Sequence, residues 1–347
     1  MYLTIGKTSV NAPAHIKISD HPSNPAEKLM AMAKSDMEAV NGIILERMKS
    51  PVGMIPDLAE HLVAAGGKRL RPLLTIAGGH LCGDVQPAHH KLAAAVEFIH
   101  SATLLHDDVI DDSDMRRGRK VANRIWGNSA SILVGDFLFA RSFNLMVETG
   151  SLRALDILST ASSVIAEGEV HQLASLRNVK TTEATYLEVI SAKTAALFAA
   201  ACEVSAVITD IGEAKTDALR AYGQNLGLAF QLVDDALDYG GFEVALGKSV
   251  GDDFREGKLT LPVIRAIQSA NSEELAFWQR VMSDRKQEST DFERAVSIIR
   301  RRGTLESTLE LARDYAREAR TALDVFDDGD WKKTLMLLAD YVVDRIS

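Results

Sequence analysis

Apolar residues recur along most of the chain at the spacing of a helix face. Leu219, Tyr222, Leu226, Phe230, Val233 and Leu237 follow one another at intervals of 3, 4, 4, 3 and 4 residues, which puts them on one stripe of a helix. Leu92, Val96 and Ile99 repeat the pattern within residues 91–106. Prolines crowd the first 56 residues, at Pro13, Pro22, Pro25, Pro51 and Pro56, and none occurs from residue 88 to 261. An interior proline costs a helix about 3 kcal/mol, so this long Ala/Leu-rich stretch predicts helices. No Asn-Gly or Asp-Gly turn separates two alternating runs, and hairpins are not predicted. Residues 1–23 read as a polar, mobile tail. Asn24-Pro25-Ala26-Glu27 then supplies a capping side chain, a proline at the first helical position and an acid at the third. With no linker or repeat in the remainder, residues 24–347 are expected to form one large all-α domain.

Composition narrows the function. The 347 residues are 46% apolar and 25% charged, ordinary for a soluble globular protein. Against 39 basic residues stand 48 acidic ones, a net charge of -9, and so acidic a chain is a poor nucleic-acid binder because phosphate contacts dominate that affinity. Cys82 and Cys202 have no CxxC neighbour. They are expected to be buried free thiols in a reducing compartment, the cytoplasm. The opening MYLTIGKTSVNAPAH lacks the apolar core of a secretory signal. The most apolar run, Ala192 to Ile208, is interrupted by Lys193 and Glu203, which argues against a clean membrane span.

Two aspartate clusters carry the chemistry. The first is LLHDDVIDDSDMRRG, residues 104–118, and the second FQLVDDALDY, residues 230–239. Each contains Asp-Asp-x-x-Asp at the end of an apolar helix, so Asp107 shares a face with Asp111, and Asp234 with Asp238. A solvated helix end would explain one such cluster. Two copies embedded in apolar helices call for a compensating cation. Oxygen donors without nearby cysteine point to a hard ion such as Mg²⁺, which is typically held by one or two carboxylates together with substrate phosphates. Basic counterparts follow in GGKRLRP (residues 66–72), Arg116-Arg117-Gly118, Lys193-Thr194, GKSVGDD (residues 247–253) and EGKLTLP (residues 256–262). Each alone could be an exposed basic turn. Together they read as sites for diphosphate.

In combination these motifs, with GEVHQL (168–173) and SAKTAALF (191–198), resemble the trans-isoprenyl diphosphate synthases over roughly residues 25–347. The resemblance implies an isoprenoid synthase fold, mostly antiparallel helices around a central cavity, in a homodimer. It implies head-to-tail addition of isopentenyl diphosphate to an allylic diphosphate such as farnesyl diphosphate, with Mg²⁺ and Mn²⁺ as its substitute. Carried over position by position, Lys68, Arg71, His100 and Arg117 bind isopentenyl diphosphate. Asp107 and Asp111, with Asp108 beside them, hold metal on the allylic diphosphate. Asp234 leads the second metal-binding set, supported by Asp235 and Asp238. Arg116, Lys193, Lys248 and Lys258 contact the allylic diphosphate, and Thr194 and Gln231 face the forming carbocation. Glu169 and Gln172 line the cavity or merely pack helices.

Ala102 and Thr103, about one turn before Asp107, match the family's chain-length gate. Both are small, where short-chain members tend to carry aromatic rings, so the growing tail is expected to pass Ala102 towards Ile99 and Ala95. The expected product is therefore long, octaprenyl to decaprenyl (C40–C50), for a quinone side chain, and so apolar a product leaves room for peripheral membrane contact at its release. The basic C-terminal tail of short-chain members is absent, the chain ending Asp344-Arg345-Ile346-Ser347. A short-chain synthase making farnesyl or geranylgeranyl diphosphate is the nearest rival. A non-catalytic partner subunit is a second, against which both intact aspartate clusters argue. A terpene cyclase would have no need of GGKRLRP for a second diphosphate.

Overall fold

Asn24 opens the first helix, its side-chain oxygen accepting the Ala26 N–H while Pro25 takes the first helical position. The computed structural model describes residues 24–64, 69–116, 118–240 and 251–344, and the tail expected over 1–23 lies outside them. The helices run α1 Pro25–Met32, α2 Lys34–Arg47, α3 Met54–Ala64, α4 Leu70–Leu81, α5 Pro87–Ile110, α6 Ala122–Trp126, α7 Asn128–Val147, α8 Leu152–Ser175, α9 Glu183–Ile190, α10 Ala196–Thr209, α11 Glu213–Gly240, α12 Asp252–Glu256, α13 Leu261–Gln268, α14 Ser272–Trp278, α15 Asp291–Arg301, α16 Thr304–Ala322 and α17 Asp330–Asp344. Between α5 and α6 lies a minimal antiparallel strand pair, Met115–Arg116 with Arg119–Lys120.

The core forms around α10, which packs on α4, α5, α8 and α11. Leu197 through Cys202, Val204, Ser205 and Ala206 are all buried. A helix apolar on every side belongs in an interior. Among the described helices, residues 128–147 and 183–209 are long and apolar enough to cross a membrane. The second of these runs through α10, and its apolarity is accounted for by this central position. Close approach is built into the contact between α10 and α11. A Cβ on Gly223 would lie 2.3 Å from the Phe198 carbonyl oxygen, and one on Gly227 2.6 Å from Ala195 Cα. The periodic stripe behaves as its spacing implies: Leu219, Tyr222, Leu226, Val233 and Leu237 of α11 are buried. Cys202 is buried and free, whereas Cys82, also free, is only half-buried because it caps the C-terminus of α4 at the rim of the bundle.

Candidate active site

The last two turns of α5 and of α11 face one cavity of about 430 Å³, whose other walls come from α8, α9 and the segment before α13. Asp107, Asp111, Asp234, Asp235 and Asp238 all line it, as do Arg71, His100, Thr103, Arg116, Lys193, Thr194, Gln231 and Lys258. Leu104, Val189, Ile190, Phe230, Leu237 and Leu259 supply an apolar lining between the charged groups. Lys68, Arg117 and Lys248 lie outside the described residues.

The first cluster is already matched by cations. Lys258 Nζ lies 2.9 Å from Asp111 Oδ2 and 2.6 Å from Glu256 Oε2. Burial works against that ammonium, but Asp111, Glu256 and Asp253 outweigh it and hold the amine above its ordinary range. Lys193 Nζ sits 2.8 Å from Glu169 Oε2, 2.9 Å from Gln172 Oε1 and 3.5 Å from Asp107 Oδ2. Burial raises the Asp107 carboxyl, and Asp111 adds to the rise while Lys193 opposes it. Glu169 is raised likewise, first by burial and then by Asp107. Asp108 does not line the cavity. It turns behind α5 and takes Arg116 Nε at 2.9 Å and Nη2 at 2.8 Å on one oxygen. The Asp-Asp pair thus divides its work, Asp107 facing the cavity and Asp108 anchoring the guanidinium of the strand pair.

The second cluster is held differently. Asp235 accepts the Tyr186 hydroxyl and, at 2.7 Å, the Gln231 Nε2. Its carboxyl is pushed up to about 8 by burial, with Asp253 adding to the rise. Asp238 accepts the backbone N–H groups of Gly251, Asp252 and Asp253 at 2.9, 3.2 and 3.0 Å. Burial and Asp253 nevertheless lift it to about 7. Asp238 therefore ties α11 to the start of α12. Because Gln231 spends its amide N–H on Asp235, its carbonyl oxygen is left to accept from Thr194 Oγ1 at 2.9 Å. Both residues line the cavity.

Arg71 and His100 also line the cavity: Arg71 Nη1 lies 3.2 Å from His100 Nε2, and its guanidinium lies 4.3 Å over the Phe198 ring. The two gate residues separate. Thr103 lines the cavity, its hydroxyl turned back onto the His100 carbonyl at 2.8 Å, whereas Ala102 is fully buried in the core together with Ile99 and Ala95. Ala102, Ile99 and Ala95, expected along the path of the growing tail, share the face of α5 that packs into the bundle and do not line the cavity. Of the two residues expected at the gate, Thr103 is the one in contact with the cavity.

Sequence reasoning missed Tyr186 and Glu256, the partners of Asp235 and Lys258. Tyr186 left no local signal, because its role comes from α9 meeting α11 across the cavity, where its hydroxyl reaches Asp235. A second feature was not legible: residues Ser191–Ala195 form one π turn between α9 and α10. π bulges occur often at functional sites, and this one carries Lys193 and Thr194. Gly168 lets α8 approach it, for a Cβ there would lie 2.7 Å from Ala192 Cβ and 3.1 Å from the Lys193 nitrogen.

The metal question is one of donor chemistry. Among the described residues no three His, Cys, Asp or Glu side chains converge as a preformed cage. Carboxylates instead face one another across an open cavity, the arrangement suited to a hard cation that shares its coordination with phosphate oxygens and water. The upward displacement of the Asp107 carboxyl marks a site where added positive charge is favourable.

Residues 53–299 match the polyprenyl synthetase family, and the chain belongs to that family. It is 42% identical over 319 residues to an octaprenyl diphosphate synthase of Escherichia coli strain K12, covering 92% of this chain and 98% of that one. A polyprenyl synthase from Caulobacter crescentus, solved as a complex with calcium and isoprenyl diphosphate, superposes with a TM-score of 0.90 at 55% identity, over 94% of this chain and all of the other. A decaprenyl diphosphate synthase from Rhodobacter capsulatus gives the same TM-score at 52% identity, covering 93% of this chain and 100% of its own.

Proposed function

We propose that the chain is a long-chain all-trans-polyprenyl diphosphate synthase, a prenyltransferase that adds isopentenyl diphosphate repeatedly to an allylic diphosphate until a C40–C50 product forms. The observation that carries this reading is one cavity lined by two sets of groups suited to diphosphate. Asp107, Asp111 and Asp234 with Lys193 and Lys258 form one set, and Arg71 with His100 the other. A cyclase acting on one diphosphate has no use for the second set, and a non-catalytic subunit has none for both aspartate clusters. The octaprenyl and decaprenyl names of its relatives, together with the small Thr103 at the cavity wall, support a long product over farnesyl or geranylgeranyl diphosphate.

Magnesium, with manganese as substitute, would be held by Asp107, Asp111 and Asp234. When bound it neutralises the diphosphate so that the group can leave. The chain's own residues do the rest. Lys193 and Lys258 stand beside the carboxylates, where they stabilise charge developing on the departing oxygen. Glu169 and Gln172 fix the Lys193 ammonium in that position. The Thr194 and Gln231 oxygens face the allylic cation, and the apolar walls shield it from water. Arg71 and His100 hold isopentenyl diphosphate so that its double bond meets the cation at short range, converting an encounter into an intramolecular step. In this reading the released diphosphate takes the proton lost at each condensation. A homodimer is supported by α7, which leaves Leu133, Phe143 and Val147 exposed, and the product fits a quinone side chain.

The test is direct: purified protein, farnesyl diphosphate, labelled isopentenyl diphosphate and Mg²⁺, with products resolved by length. C40–C50 products are expected, and products ending at C15–C20 would overturn the long-chain reading. Thr103→Tyr should shorten the product to roughly C15–C20 by filling the cavity. Ala102→Tyr should instead lower the melting temperature, through an overpacking cost of about 1–3 kcal/mol. Unchanged product from a folded, active Thr103→Tyr enzyme would move the gate to another helix.

A further inference from the structure

On the far side of Asp111 and Lys258 the wall of the catalytic cavity becomes the wall of a second one, of about 400 Å³. Arg177, Arg255 and Arg285 line it together with Glu256, Gly257 and Gln287. The two acids on this wall, Asp111 and Glu256, share Lys258, while Arg255 is paired with Asp252 outside it. Arg177 and Arg285 remain. Neither guanidinium meets a carboxylate among the described residues, and Arg177 is held below its ordinary value by burial and then by the charge of Arg285. Two guanidiniums without a described carboxylate partner thus line one cavity, in a chain whose net charge is -9. Like charges brought together in a concave site focus a positive potential there.

Arg177 is fixed rather than loose. Its backbone N–H donates to the Gly257 carbonyl at 3.3 Å, and its own carbonyl accepts Ser283 Oγ at 2.7 Å. Its side-chain stem runs across Gly257, so close that a Cβ on that glycine would lie 3.1 Å from Arg177 Cγ. The guanidinium is thereby strapped beside Lys258, the residue that bridges the two cavities. Guanidinium forks match phosphate oxygens two at a time, and a pair of them suits a diphosphate better than a single carboxylate.

We propose that this second cavity is a diphosphate-binding site, with Arg177 and Arg285 as its ligands and Lys258 as its link to the catalytic cavity. The group it takes is a diphosphate, either the inorganic diphosphate released at each condensation or the head of a prenyl diphosphate. The site needs no metal, which separates it from the aspartate plates, where an anion without a cation is repelled.

The test is calorimetric titration of inorganic diphosphate into the full chain in EDTA. Wild type, Arg71→Ala and the Arg177→Ala/Arg285→Ala double variant are compared at matched salt. Wild type should show two classes of metal-independent site. Arg71→Ala should weaken one, and the double variant should weaken the other at least tenfold while leaving the first in place. Arg285 is exposed, so Arg285→Glu alone provides a folded variant that must weaken the same class if Arg177→Ala disturbs its strapped segment. Repeating the titration with a non-hydrolysable prenyl thiodiphosphate separates the two sources. Binding at the arginine class by inorganic diphosphate alone assigns the site to the by-product, and binding by both assigns it to the shared head group. Diphosphate binding in both arginine variants that is indistinguishable from wild type overturns the proposal. These readouts require no turnover, so they stand apart from the outcome of the chain-length assay.

Discussion

The two aspartate clusters share a spacing and a cavity but not an electrostatic solution. On α5, Asp107 and Asp111 are met by Lys193 and Lys258, and Asp108 by Arg116. On α11, Asp235 and Asp238 are met by a tyrosine hydroxyl, a glutamine amide and three backbone N–H groups, and no described cation forms an ion pair with either. Hydrogen bonds from neutral donors satisfy lone pairs without cancelling charge. Burial, with the charge of Asp253 added, accordingly raises both carboxyls, to about 8 and about 7. The same Asp-Asp-x-x-Asp pattern thus makes one plate paired with cations, though Lys193 and Lys258 are each shared between two acids, and one plate held by neutral donors alone. The first plate stands beside Lys193 and Lys258, and both plates line the same cavity.

The largest expected effect comes from removing one acid from each plate. Asp107→Ala and Asp234→Ala should each lower kcat by about 10²–10³ or more, in line with the loss of a single transition-state stabiliser. A near wild-type rate for either would break the pairing of the two plates. Tyr186→Phe should act on the second plate alone. It removes the hydroxyl donor from a buried carboxylate at a cost of about 1–3 kcal/mol, read as a lower melting temperature and a roughly tenfold lower kcat, since each 1.36 kcal/mol on the barrier is tenfold. The KM for isopentenyl diphosphate should stay unchanged, and a raised one would place Tyr186 with the Arg71 and His100 set.

The smallest effect is a slope in stability. Unfolded aspartate titrates near pH ~3.9. Asp235 and Asp238 titrate at about 8 and about 7 in the folded chain, so the native state binds these protons more tightly than the unfolded one. Their contribution to stability is then full below the unfolded pKa and declines as pH rises, until it is lost above the folded values. The metal-free melting temperature should fall between pH 5 and 9, and Asp235→Asn should flatten the fall. A wild-type slope retained in Asp235→Asn would assign the titration elsewhere.

Much of this arrangement could be read from the chain before any coordinates. The spacing of Leu219 to Leu237 gave the buried face of α11, and Asn24-Pro25 gave the start of α1, because both depend on local geometry alone. The five cavity-facing aspartates, Lys193 and Lys258 were also legible as residue types in motifs. What spacing could not supply was direction. Adjacent residues on a helix differ by about 100°, which is why Asp107 faces the cavity while Asp108 faces Arg116, and why Thr103 lines the cavity while Ala102 enters the core. The π turn at Ser191–Ala195 shifts that phase again at Lys193. Tyr186 and Asp238 take their roles from α11 and α12 meeting other elements, which no local pattern records.

The measurement closest to the central claim is calorimetric binding of a non-hydrolysable allylic thiodiphosphate with and without Mg²⁺, in wild type, Asp107→Ala and Asp234→Ala. If both plates grip one metal-complexed diphosphate, wild type binds much more tightly with Mg²⁺ than in EDTA, and that increment disappears in each variant. A magnesium increment that survives in Asp234→Ala would show that α5 alone holds the metal, and would contradict the two-plate account.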